Sequence, residues 1–210
     1  MGWTLAIHLS ESPEEVEFVK SGTGGLTDIF GANEWGGVGV SPVRYAQSVE
    51  LLAPETIAAH LATGVSEEDI EILAQTGAAA AHCPRSNDYL GCGVSPVPAM
   101  IGSGIRVGMG TDGLWSSPSM NLFEETLFAV KLHDMSGAAG LELATLGGAR
   151  ALGIEVETGT LEVGKWADLA VVETSPEDGD SPLGVLEAAA GGGVAATVVG
   201  GNVIYNRLGV

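Results

Sequence analysis

Four short apolar runs each stop at a side chain that can bind a metal or carry a proton: Thr4 to His8, Thr56 to His60, Ala78 to His82 and Ile105 to Asp112. A neutral imidazole is a good ligand for Zn²⁺ or Fe²⁺, and a carboxylate can complete such a site. Glu11 follows His8 by three residues, close enough to face the same point and move a proton there. His60 closes Thr56-Ile57-Ala58-Ala59-His60, where a histidine fits the mouth of a barrel and equally a satisfied place in a core. His82 leads into Cys83-Pro84-Arg85-Ser86-Asn87, whose short polar groups suit either a tight turn or a ligand. Gly108-Met109-Gly110-Thr111-Asp112-Gly113 puts a carboxylate at the end of a buried strand between glycines. A cation would offset that charge, and a capped turn through Ser116 and Ser117 would also use it. Each signal alone is weak, and the recurrence at four successive strand ends is what points to one site.

Apolar runs this short read as strands, and strands buried on both faces belong to a parallel sheet covered by helices. Between them lie helix starts. Ser12-Pro13-Glu14-Glu15 combines an N-cap, a proline at the first helical position and a capping-box glutamate. Ser66-Glu67-Glu68-Asp69 opens a second helix that stops at Gly77. Pro96 to Ser103 predicts a short helix. Asn121 to His133 predicts a longer one with Leu122, Phe123, Leu127 and Val130 inward. Ser21 to Pro42 reads as a glycine-rich loop holding Trp35, with at most a short helix. The whole predicts a right-handed parallel β/α array. In a closed β/α barrel, groups at the C-terminal strand ends converge on one rim. From Gly159 onward the pattern changes to a strand over Lys165 to Val172, an acidic loop from Glu173 to Asp180, and a hairpin over Val194 to Tyr205 turning at Gly200-Gly201-Asn202. This predicts two segments, a barrel-like 1–157 and a β-rich 158–210.

The chain has 210 residues, 45% of them hydrophobic, enough for a substantial core. Its formal charge of −19, from 27 acidic against 8 basic residues, argues against a nucleic-acid or anionic-membrane partner. Cys83 and Cys92 match no zinc-ribbon or disulfide spacing, so free thiols and a cytoplasmic, soluble protein are expected. No window reaches the length of a membrane span.

The ordered set His8-x-x-Glu11, Ala59-His60, His82-Cys83-Pro84-Arg85-Ser86-Asn87, Gly110-Thr111-Asp112-Gly113 and Gly159-x-Leu161-x-x-Gly164-Lys165-x-Ala167-Asp168-Leu169 resembles the amidohydrolase superfamily. It is most similar to the deaminase and chlorohydrolase branch, with cytosine, guanine, S-adenosylhomocysteine and aminofutalosine deaminases. The resemblance implies a mononuclear metal-dependent hydrolase on a (β/α)8 barrel completed by a small β-sandwich. It implies metal ligands at His8 and Asp112, a general acid/base at Glu11, and a water-orienting histidine at His60. His82 and Asn87 fall near the substrate rim. The implied cofactor is one divalent metal, zinc or else iron. The implied reaction is hydrolytic deamination of an amino-substituted heterocycle or nucleoside derivative, with chlorohydrolysis as the neighbouring alternative. Family members carry a His-x-His pair in their first strand, and the histidines here are His8, His60, His82 and His133. The resemblance therefore covers barrel strands five to eight, and the expectation is a C-terminal half whose partner is a missing N-terminal half or another copy. A catalytically incomplete remnant and an acidic interaction module without a site are the competing expectations.

Overall fold

The computed structural model describes residues 4–30, 36–175 and 181–209. Four strands, β1 (Leu5–Leu9), β2 (Thr56–His60), β3 (Ala79–His82) and β4 (Val107–Met109), form one parallel sheet in chain order. Each of the four expected runs supplies one of them, and helices connect them. Four β/α units laid side by side in this way are half of a (β/α)8 barrel. Ala58, Leu61, Leu73, Val97, Met100 and Val107 build the core between sheet and helices. The expectation of burial on both faces holds for β2 and β3 but fails for β1, where Leu5 is 40% exposed and His8 is also exposed. The reason is topological: β1 is an edge strand, hydrogen-bonded to β2 alone.

Ten α-helices are described: α1 (Pro13–Ser21), α2 (Thr27–Phe30), α3 (Pro42–Ser48), α4 (Glu67–Thr76), α5 (Pro84–Leu90), α6 (Val97–Gly102), α7 (Leu122–Leu132), α8 (Gly137–Glu142), α9 (Gly148–Leu152) and α10 (Pro182–Ala188). Ser12 caps α1 through the Glu15 N–H at 3.2 Å, and α1 ends at Gly22 with φ 69°. The expected capping box does not close. Glu15 reaches past Ser12 and accepts from the N–H groups of Ser10 (2.8 Å) and Glu11 (2.7 Å). In α4 the box is complete, between Ser66 and Asp69. The buried side of α7 is Glu125, Thr126, Ala129 and Val130, rotated from the expected face because a glutamate is drawn inward by α5. The tight turn, one of the two readings of the segment after His82, is present: β3 passes into α5 through Cys83 alone. Part of the glycine-rich loop is α2, while Trp35 lies outside the described residues.

A Cβ at Gly108 would lie 2.8 Å from the Gly148 Cα, so this glycine lets α9 sit against β4. A π-helical turn, Leu143–Gly147, joins α8 to α9.

The C-terminal sheet is antiparallel, in the order β5 (Leu169–Val172), β6 (Val194–Val199) and β7 (Asn202–Asn206). The hairpin turns at Gly200 and Gly201, both at positive φ, and Asn202 already pairs with Val199. Between β5 and β6 the chain leaves this sheet to form α10, which packs on α7 and α8. Residues 176–180 of the acidic loop lie outside the described residues.

Candidate metal and catalytic site

His8 ends on β1, and the chain just beyond it is held from both sides. The Glu15 carboxylate takes the N–H groups of Ser10 and Glu11. Thr63, after β2, sets its hydroxyl between the carbonyls of Glu11, at 3.0 Å, and Cys92. With its backbone clamped, Glu11 points Oε1 at His60 Nε2, 3.7 Å away.

The strand register alone would separate the two histidines. His8 pairs with Ala59 and His60 with Leu9, so regular alternation places the rings on opposite faces. Yet they stack, with centroids 5.1 Å apart and planes 23° from parallel. His60 has φ 73°, and Leu61 after it has φ 49°; the pleat has ended there, which frees the ring to turn toward β1. Ser10 (φ 52°) and Asp112 (φ 55°) share this left-handed backbone. Such conformations cost about 1–3 kcal/mol each for a residue with a Cβ, and they gather where geometry serves a site. His60 is buried, and its Nδ1 lies 2.9 Å from Asn87 Oδ1. An amide oxygen only accepts, so Nδ1 carries a hydrogen toward Asn87, which turns Nε2 toward Glu11.

Asp112 follows β4 by three residues. Its Oδ2 accepts from Ser86 Oγ at 2.6 Å and Ser116 Oγ at 2.8 Å. Burial works to raise its pKa, but the hydrogen bonds from Ser86, Ser116 and the Gly113 N–H, with His60 nearby, outweigh it and hold the carboxyl below its ordinary value. The group is therefore a carboxylate at neutral pH. Ligand atoms of His8, His60 and Asp112 all lie within 4.8 Å of one another. Two imidazoles and an ionised carboxylate at this separation form a donor set suited to Zn²⁺ or Fe²⁺.

Asn87 is thus placed on His60 and is itself buried. His82 is also buried, and its Nε2 lies 3.0 Å from His133 Nε2. Burial first, then His133 and His60, push His82 down to about 3, which keeps it neutral. Both cysteines are free and buried, and burial pushes Cys83 up to about 12, away from thiolate chemistry. The supporting contacts of Glu15, Thr63 and His133 carry no sequence signal, since each partner is brought near by the fold. At the opposite end of the sheet, Arg106 donates to the carbonyls of Pro54 (2.6 Å), Gly77 (2.7 Å) and Arg150 (2.8 Å), tying together the segments beneath the strands. Among the described residues no helix is long and apolar enough to cross a membrane.

Comparison with known proteins places these features in a wider set. The family described as the amidohydrolase family matches residues 1–204. The 5-methylthioadenosine/S-adenosylhomocysteine deaminase of Desulforudis audaxviator is 41% identical over 175 residues, covering 80% of this chain and 37% of the relative. The protein of the same description from Moorella thermoacetica is 36% identical, covering 99% and 47%. Among solved structures, an adenosine deaminase from Xanthomonas campestris with bound zinc superposes with a TM-score of 0.80 at 26% identity, covering 97% of this chain and 46% of that one. Atrazine chlorohydrolase TrzN from Arthrobacter aurescens, complexed with zinc, gives 0.77 at 24% identity, covering 98% and 44%, a likeness of fold. The chain spans about half or less of the length of these relatives.

Proposed function

We propose a metal-dependent deaminase chemistry for this chain, which belongs to the amidohydrolase family. The observation that carries the reading is the convergence of His8, His60 and Asp112 within 4.8 Å, with Glu11 3.7 Å from His60. His8 and Asp112 would hold one divalent cation, zinc by preference, with His60 beside it. Such a cation supplies a water acidic enough to lose its proton near neutral pH. A catalytic zinc takes three protein ligands and one open position, so the remaining ligands come from the other half of the barrel, in the same longer protein or in a separate polypeptide.

The residues here then divide the proton work. Asp112, ionised and anchored by two serines, accepts a proton from the attacking water. His60, held in one tautomer by Asn87, presents Nε2 to orient that water. Glu11, clamped at its N–H and its carbonyl, delivers its proton to the ring nitrogen; the proton taken up by Asp112 passes to the departing amine, and the proton of the new hydroxyl group returns to Glu11 as the carbonyl forms. The new bond joins the water oxygen to the ring carbon that carries the amino group; the carbon–nitrogen bond breaks and ammonia leaves. His82 and Asn87, both buried, would support the site from behind, Asn87 through His60 and His82 through its contact with His133. Relatives described as 5-methylthioadenosine/S-adenosylhomocysteine deaminases suggest an adenosine derivative with a thioether at the 5′ carbon as the substrate class.

The test is ammonia release from 5′-methylthioadenosine, S-adenosylhomocysteine, adenosine and cytosine by the zinc-loaded protein, with its complementary barrel half present. Glu11→Gln should lower turnover by about a hundredfold or more while zinc content stays unchanged, the scale expected for losing a general acid/base. Zinc-loaded protein that releases no ammonia from any of the four refutes the reading, as does undiminished turnover in Glu11→Gln.

A further inference from the structure

Helix α5 begins without a cap of its own, since the Cys83 side chain at the N-cap position accepts no N–H of the first turn and points its thiol back to the Ala81 carbonyl. A residue from α7 takes that place. Glu125 Oε1 accepts the Arg85 N–H at 2.8 Å, and the Arg85 guanidinium Nε lies 3.9 Å from Oε2. Glu125 has no exposed surface, and its Oε2 has no hydrogen-bond partner. A carboxyl group in such surroundings is costly, and an apolar side chain would fill the space without that cost. What it secures is the first turn of α5. The next two residues there are Ser86, which donates to Asp112, and Asn87, which accepts from His60. One turn of helix therefore sets two site residues that arrive on different strands, β2 and β4.

We propose that Glu125 is a positioning residue: by capping α5 from α7 it holds Ser86 and Asn87 where they fix the Asp112 carboxylate and the His60 tautomer. The proposal rests on the reading of His60 and Asp112 as site residues, and its action is through α5, not through contact with substrate. Small displacements of this kind matter, because a shift of about 1 Å from a distant substitution can lower a rate by roughly a hundredfold.

The chain has four histidines, so protein labelled with ¹⁵N-histidine allows each imidazole tautomer to be read from long-range proton–nitrogen spectra, together with Zn²⁺ titration. In the unsubstituted protein and in Glu125→Gln, which keeps an oxygen for the Arg85 N–H, His60 should show the single Nδ1–H tautomer. In Glu125→Leu, of similar size and without an acceptor, both tautomers should appear and Zn²⁺ affinity should fall roughly tenfold or more, as for other residues that orient metal ligands. Glu125→Asp, one methylene short of Arg85, should shift both readouts in the same direction and stands in if the leucine variant does not fold. A folded Glu125→Leu or Glu125→Asp that keeps the original tautomer and affinity, even with a lowered melting temperature, overturns the proposal and leaves only a structural cap. Mixed tautomers already present in the unsubstituted protein, or in Glu125→Gln, overturn it as well. A protein that binds no Zn²⁺ at all counts against the deaminase reading alone, because the tautomer readout needs no metal.

Discussion

Ser86→Ala tests how the Asp112 carboxylate is held. Ser86 is buried without residue, and its hydroxyl donates to Asp112 Oδ2 at 2.6 Å. A hydrogen bond to a charged acceptor contributes about 1.5–3 kcal/mol net. Ser116 still donates to the same oxygen at 2.8 Å, so the loss falls at the low end, about 1.5 kcal/mol at neutral pH. With a urea dependence of about 1–3 kcal/mol per molar, the unfolding midpoint should drop by roughly 0.5–1.5 M. The pH dependence carries a definite sign. Asp112 titrates below its ordinary value of 3.8 in the folded protein, so its stabilisation is full above that value and disappears as pH falls through the folded pKa. The destabilisation by Ser86→Ala should therefore shrink in acid toward the roughly 0.5 kcal/mol of a weak neutral hydrogen bond. Urea titrations at neutral pH and below pH 3.8 give both numbers. Equal midpoint shifts at the two pH values, or none at neutral pH, would mean that Ser86 does not hold the Asp112 carboxylate.

Two further outcomes follow from groups outside the immediate donor set. His82 is pushed down from 6.5 to about 3, so the unfolded chain takes up a proton that the folded chain refuses. Stability should fall as pH drops below 6.5, with a slope approaching about 1.4 kcal/mol per pH unit, and His82→Phe should flatten the upper part of that window. Parallel urea-midpoint profiles for the two proteins contradict this. Arg106→Ala removes three donations to main-chain carbonyls at the far end of the sheet and should destabilise by about 2 kcal/mol, a partly exposed cation giving less than its full hydrogen-bond value. Arg106→Lys should recover little, since an ammonium lacks the planar fork that spans three acceptors, and Zn²⁺ binding by both folded variants should match the original; loss of metal binding in either argues against a purely structural role.

What could be read from the residues was whatever is local. β2 and β3 followed from uninterrupted apolar runs, α4 from its box and its glycine stop, and the β6–β7 hairpin from paired glycines. The meeting of His8, His60 and Asp112 was legible because parallel strands put their last residues at one end. Contacts set by the fold were not legible. Glu15 was read as capping its own helix, yet two N–H groups left bare after β1 lie within its reach. Glu125 interrupts the apolar face of α7, because its partner is the start of α5, 40 residues away in sequence. The stacking of His8 on His60 depends on a left-handed backbone at the last residue of β2, where strand alternation alone would part the rings. The exposure of β1 depends on which strands lie beside it, and an apolar run carries no record of that.

The side-by-side order of β1 to β4 also fixes a schedule. Each strand, as it emerges in synthesis, finds its neighbour already made, so the ladder can lengthen one rung at a time with only nearby segments to close. His8 and His60 can meet as soon as the second rung is laid, whereas the carboxylate of Asp112 arrives only with the last. A cation met by the growing chain before then finds two imidazoles with Glu11 beside one of them, and lacks the Asp112 carboxylate. Within this half of the barrel, the three-residue donor set is whole only once the fourth rung is in place.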